Sequence, residues 1–413
     1  MIGRACGRVE ATRGGLIALR MPFARVGDGV RVAARERFVA ARITAVEGDR
    51  ALAAPFAVLD GIAAGDRVVA DPSVLAMPLG TPLLARALDA AGEPLDGRAR
   101  ARGARVACDA AAPPPDARRP ARDVFWTGVR AIDGPLALAR GARVGVVGTA
   151  GCGKSTLLDT IVNGADADAV VVALVGERGR EAERRIAQRD ARTTVICATS
   201  DRAAAERLRA AEVAFAHAAA LRRRGLHVLL VLDSLARVAC AARDLSLAAG
   251  EPAGRGGFPP SALHVFARLL ESAGVDACGS VTAIATVLAD AGEGDDPVVA
   301  AARAALDGHI VLAERLAHAG RFPAIDLGRS ASRTIADAGS PAHVGAARVV
   351  RAAVAALDES RDARALGISP GDPFTARAAA YEREIDAFLL QGPEPSPPGE
   401  TLTRLCRLAD ILS

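Results

Sequence analysis

Lysine is almost missing from this 413-residue chain: of 52 basic side chains one, Lys154, is a lysine, and the other 51 are arginine. Aromatics are scarce too, with one tryptophan, one tyrosine and ten phenylalanines making up 3% of the residues. That scarcity argues against a single-strand nucleic-acid binder, which needs stacking platforms; residues 1–78 offer only Phe23, Phe38 and Phe56. No run of about 18 uncharged apolar residues occurs, which excludes a bilayer-spanning helix, and no tripeptide glycine period occurs, which excludes a collagen-like chain. The seven cysteines form no C-x-x-C pair and read as reduced thiols, and the six histidines lie too far apart for a local metal site. Residues 1–9 lack the apolar core of a secretion signal, so a cytosolic location is expected. A net charge of +4 is too slight to demand a nucleic-acid partner.

What remains is a chain that is 51% hydrophobic and long enough for two to four domains at about 100–200 residues each. Residues 1–78 alternate short β-branched runs (7–10, 15–19, 30–32 and 42–46) with Gly-Asp turns, the pattern of a small closed β-domain. The stretch 101–122, with its Pro113-Pro114-Pro115, reads as an irregular connector. From Arg143 onward, uniformly apolar runs at 144–147, 170–175, 193–197, 228–232, 280–287 and 309–312 alternate with amphipathic segments, which predicts a parallel sheet covered on both faces. After about residue 345 the pattern is helical, at 346–357 and 376–390. A proline-rich break at 392–399 precedes a last short helix.

The sharpest motif is Gly148-Thr-Ala-Gly151-Cys152-Gly153-Lys154-Ser155, a complete G-x-x-x-x-G-K-[ST] between a strand and a helix that opens with Thr156. Its glycines let backbone N–H groups wrap a phosphate, Lys154 reaches the terminal phosphates, and the Ser155 hydroxyl ligates Mg²⁺. The sole lysine stands where a compact ammonium on a flexible stem is required. Cys152 has two readings, a thiol activated by the surrounding amides or a small side chain filling space. Asp233 ends an apolar strand, where it either holds Mg²⁺ or caps the next helix. Glu177, in Gly176-Glu-Arg-Gly-Arg-Glu181, is either a water-positioning carboxylate or part of a solvated charge run.

These motifs, followed in order by Asp233-Ser-Leu-x-Arg237, Gly250-Glu-Pro252, Gly257-Phe-Pro-Pro-Ser261, Leu306-Asp-Gly-His-Ile310, Phe322-Pro-Ala-Ile-Asp326 and Ser330-Ala-Ser-Arg333, resemble the export ATPases of type III secretion systems. That family, injectisome and flagellar, is related to the rotary ATP synthase head subunits, and the resemblance spans about residues 7–390. It implies a RecA-like α/β nucleotide-binding core at 79–345, preceded by a β-barrel at 1–78 and followed by a helical domain at 346–413. It implies ATP and Mg²⁺ as cofactors, with Gly148, Gly151, Cys152, Gly153, Lys154, Ser155 and Thr156 around the phosphates and Ser155 and Asp233 at the metal. In the same comparison Glu177 and Arg178 look like catalytic residues, Phe322 like the aromatic that stacks on adenine, and Arg333 like an arginine finger acting on a neighbouring subunit.

A finger in trans implies a homohexameric ring. The expected setting is cytoplasmic and peripheral to the inner membrane, with stator and central-stalk proteins, chaperone–substrate complexes and the export gate as partners and no nucleic acid. Gly257-Phe-Pro-Pro-Ser261 leans toward the injectisome branch. The sequence departs from the family pattern at Ala236, Ala242 and 282–287, and it begins almost directly in the β-domain. Three other readings stay open: a rotary-type synthase subunit, an RNA-dependent translocase and an inactive nucleotide-binding scaffold.

Overall fold

The computed structural model describes residues 6–108, 111–149, 151–288 and 296–413. Part of the chain start, residues 1–5, lies outside that description, as do residues 109–110 of the connector and Ala150 of the glycine loop.

Six strands, β1 (Cys6–Arg13), β2 (Leu16–Arg20), β3 (Gly29–Ala34), β4 (Arg37–Glu47), β5 (Arg50–Pro55) and β6 (Arg67–Ala70), close into a barrel in the order β1-β2-β5-β4-β3-β6. Closure leaves no unpaired edge, and alternate residues such as Ile17, Leu19, Val30, Val32, Val39 and Ile43 fill the interior. The barrel is docked on the core by Arg42, whose guanidinium donates to both carboxylate oxygens of the buried Glu212, at 2.8 and 2.9 Å. Beside it the Arg209 guanidinium lies 5.2 Å from the centre of the Phe56 ring.

The core is one large sheet whose main path contains β7 (Ala87–Asp89), β8 (Arg143–Gly148), β9 (Ala169–Val175), β10 (Thr193–Ala198), β11 (His227–Asp233), β12 (Ser280–Leu288), β13 (Gly308–Leu312) and β14 (Ile325–Ser332). Their spatial order is β14-β13-β8-β12-β11-β9-β10-β7, parallel throughout except for β14, which runs antiparallel to β13. The central strands are mostly apolar, and Ala169–Val175 wholly so, because both faces are covered. On β9, Val171, Ala173 and Val175 face one core cluster while Val170, Val172 and Leu174 face the other. One face carries α3 (Ala204–Arg222), α4 (Leu235–Ala248) and α5 (Pro260–Glu271); the other carries α1 (Lys154–Gly164). α2 (Gly179–Gln188) connects β9 to β10.

Two sequence expectations need correction. The 101–122 connector is partly ordered: Arg105–Ala107 pairs with Ala76–Pro78, and Arg118–Arg119 pairs with Gly274–Asp276, so the stretch is stitched onto the core. The single helix expected at 376–390 is two, Pro373–Ala380 and Glu382–Leu389, broken at Tyr381, whose ψ of 23° departs from helical geometry. With α6 (Pro341–Glu359) and the last helix (Pro398–Leu412) they enclose a separate apolar cluster of Val350, Leu357, Ile385, Phe388, Leu405 and Leu412. Buried His343 of α6 stacks on Trp126 of the core, with centroids 6.1 Å apart and planes 4° from parallel.

Candidate functional site

The carboxyl edge of the parallel sheet is where ligands bind in such folds. Pairing aligns Asp233 with Leu174, Leu232 with Ala285, and Val146 with Thr286, so the ends of β8, β9, β11 and β12 meet in one row. From β8 the chain passes through the glycine loop into α1. Gly153 caps that helix at a φ of +89°, a conformation L side chains rarely adopt, and the ring of Phe322 lies 3.3 Å from where a Cβ would stand. Beyond it the N–H groups of Lys154, Ser155 and Thr156 donate to no carbonyl among the described residues and form a cradle for an anion.

Lys154 Nζ donates to the carbonyls of Gly148 (2.7 Å) and Thr149 (2.6 Å). Burial pulls its pKa below the ordinary lysine range, against the opposing pull of Asp233 and Glu177. Cys152 takes the space-filling place: its thiol is buried, donates to the Thr149 carbonyl at 2.9 Å and sits where a side chain on Gly148 would clash. The Thr149 hydroxyl is buried in the same loop without a hydrogen-bond partner among the described residues. Among the described residues, an orphaned donor, helix amides without a carbonyl partner and an ammonium held by two loop carbonyls together fit a phosphate chain.

Asp233 is not the cap of α4. Ser234 is, accepting from the Arg237 amide at 3.4 Å, while Asp233 accepts from the Thr286 hydroxyl. Burial raises the Asp233 pKa and the Thr286 hydrogen bond lowers it in part. Glu177 follows β9 before α2 begins, so it stands at the strand end and outside the helix. Its pKa is raised to about 7, first by burial and then by the neighbouring charges of Asp233 and Glu181, with Arg237 acting in the opposite sense. Such a carboxyl sits where a proton acceptor for water is useful near neutral pH. Arg178, by contrast, is exposed at the head of α2.

Phe322 is 44% exposed and lines a cavity of about 330 Å³ beside the glycine loop, together with Val129, Leu157, Leu312, Pro323 and Pro393. Sequence reasoning missed that the proline-rich break walls this cavity. Gln391 holds it there: its amide NH₂ donates to the Gly128 carbonyl at 2.8 Å, its side-chain oxygen accepts from the Arg130 amide at 2.9 Å, and its own N–H donates to the Phe322 carbonyl at 3.0 Å. Pro395 presses on Gly164, at the end of α1, with 2.6 Å between its Cβ and where a glycine Cβ would stand. The sequence reading gave no site role to Thr286, which reaches the site only through long-range strand pairing, nor to Arg237 of the Asp233-Ser-Leu-x-Arg237 motif.

Arg333 is not brought to this edge. Its amide donates to the Asp307 carbonyl at 2.9 Å, level with Arg143 at the start of β8, whereas the glycine loop leaves from Gly148. That separation is about 16 Å of strand, beyond the reach of an arginine side chain.

Residues 128–332 match the ATP synthase alpha/beta family, nucleotide-binding domain. The chain is 39% identical to a type 3 secretion system ATPase of Pseudomonas syringae pv. tomato, over 99% of this chain and 95% of that one. It is 35% identical to a flagellum-specific ATP synthase of Bacillus subtilis, over 97% and 94% of the two chains. Among solved structures it superposes on the assembled ATPase EscN of the enteropathogenic E. coli type III secretion system with a TM-score of 0.91 and 35% identity, covering 98% of this chain and all of that one. EscN in complex with its central stalk EscO gives 0.88.

Proposed function

The chain belongs to the family of type 3 secretion system and flagellum-specific ATPases, and from that premise we propose that it hydrolyses ATP in a homohexameric ring that energises protein export. One observation carries the reading. The sole lysine and two burial-perturbed carboxylates converge on one sheet edge, while the candidate finger Arg333 sits at the other edge and can serve only a neighbouring copy.

Bound ATP with Mg²⁺ supplies the scissile anhydride and the divalent charge. The loop amides and Lys154 hold the phosphates, Lys154 exchanging its two loop carbonyls for phosphate oxygens. Ser155 and Asp233 are the residues that would hold the metal, Thr286 fixing the carboxylate's direction. Glu177 orients the attacking water and accepts its proton, with Arg178 as its companion at the head of α2. Arg333 of the adjacent copy closes the site in trans, and Phe322 stacks on the base.

As working units, residues 1–78 form the barrel, 79–345 the ATPase core and 346–413 the helical domain. The solved EscN assembly and its complex with EscO support a ring with a central stalk. The other partners of this reading are stator proteins, chaperone-bound cargo and the export gate, which places the ring on the cytoplasmic side of the inner membrane. Among the described residues no helix is long and apolar enough to cross a membrane. Gly257-Phe-Pro-Pro-Ser261 favours the injectisome branch over the flagellar one.

Steady-state phosphate release by the purified chain, with ring formation followed by mass photometry, tests the proposal. Nucleotide-dependent rings with turnover support it; rings that bind ATP without releasing phosphate would instead identify an inactive scaffold.

A further inference from the structure

We propose that the ion pair between Arg321 and Asp386 positions the base-stacking platform, so that the C-terminal helices set nucleotide affinity through one side-chain contact. The proposal deepens the reading of Phe322 above and rests on it.

Phe322 belongs to a short irregular segment between the helix Glu314–His318 and β14. In front of it lies the base cavity. A second cavity, of about 350 Å³, lies at the seam between core and C-terminal helices and is lined by the neighbours Arg321 and Pro323, so that Pro323 lines both. The segment that carries Phe322 therefore has space on either side of Pro323, and packing alone does not fix it. Polar ties do. The Arg321 guanidinium meets the Asp386 carboxylate fork to fork, one of the two bonds measuring 2.8 Å, and the Phe322 carbonyl accepts from the Gln391 amide at 3.0 Å. Asp386 is itself on a rigid element. Its helix, Glu382–Leu389, buries Ile385 and Phe388 in the C-terminal cluster, and the Phe388 carbonyl accepts from Arg130 at 2.9 Å.

The platform is thus held at the backbone by Gln391 and at the preceding side chain by Asp386, both from the C-terminal region. Arg321 does not line the base cavity; it acts on the base through Phe322. The other charged residues of the rear cavity form their own pairs, Arg315 with Asp326, Arg361 with Asp358 and Arg364 with Glu382, so they do not compete for Arg321.

Calorimetric titration of the full chain with ATP and with inorganic tripolyphosphate, which has no base, separates the two ends of the site. Asp386→Asn and Arg321→Met should each weaken ATP about fivefold, as expected for a partly exposed bidentate pair, and leave tripolyphosphate unchanged. KM should rise by the same factor with kcat within about twofold, and the swap Arg321→Asp/Asp386→Arg should recover most of the ATP affinity. Arg321→Lys, which keeps the charge and loses the fork, should show a smaller loss in the same direction and covers the case in which a charge removal unfolds the C-terminal helices. Unchanged ATP affinity, or equal weakening of both ligands, would overturn the positioning role. A parent chain that binds ATP no better than tripolyphosphate would instead overturn the base-pocket reading itself.

Discussion

At its phosphate end the site gathers a half-buried ammonium and two carboxylates that burial pushes toward their neutral forms, whereas at its base end it gathers side chains with little left to donate or accept. Of the polar side chains lining the base cavity, Thr160 donates to the Thr156 carbonyl and Gln391 is spent on backbone, which leaves the Thr156 hydroxyl. The contrast separates two tasks. The charged end carries strain that a bound phosphate chain and metal relieve, so the chemistry belongs there. The apolar end offers area without reading hydrogen-bond patterns, so it adds affinity with little choice among purines.

The comparison can be broken most severely at the ammonium. Lys154→Ala should abolish measurable phosphate release, a loss of about 10³ or more, because no second lysine exists to take its place. Retained turnover would remove the charged end from the mechanism. Next in size, Arg333→Ala should cost roughly 10³ in turnover while nucleotide binding to the chain stays measurable by titration. Mixing it with Lys154→Ala chains sharpens the test, since a finger in trans predicts partial recovery in mixed rings.

Third, Glu177→Gln should lower kcat by about 10² and remove the acidic limb of the pH–rate profile. Because the folded carboxyl titrates at about 7 and the ionised form is the useful one, kcat/KM of the parent should rise as pH increases through about 7. The stability effect has the opposite sign. A carboxyl whose pKa is raised from 4.5 to about 7 on folding favours the native state below 4.5, and that contribution is lost as pH rises through 7. Thermal denaturation of parent and Glu177→Gln chains across that window checks it. The smallest effect belongs to the base end: GTP should be hydrolysed with a kcat/KM within about tenfold of ATP, and discrimination of several thousandfold would show that this end does read its ligand.

Much of the frame was legible because buried parallel strands write themselves as apolar runs. The stretches at 144–147, 170–175, 193–197 and 228–232 all lie within strands of the sheet. The barrel followed from its turn spacing, and the glycine loop from its motif. What stayed hidden depends on partners far away in the chain. Asp233 and Ser234 are both able to cap a helix, and only the fold selects Ser234 and turns Asp233 toward Thr286, 53 residues on. Gln391 reaches Gly128 across 263 residues, so a proline-rich break that reads as a pause proves to be a wall of the base cavity. Tyr381 interrupts a helix that alanine-rich periodicity extends without a stop.

The parallel rings of Trp126 and His343 give this chain an unlabelled optical gauge. With one indole in the whole sequence, fluorescence excited at the tryptophan band comes from the seam where the C-terminal helices meet the core, and an imidazole against its face makes that emission sensitive to their separation. Stopped-flow mixing with nucleotide therefore tests directly, without an introduced probe, whether that seam moves.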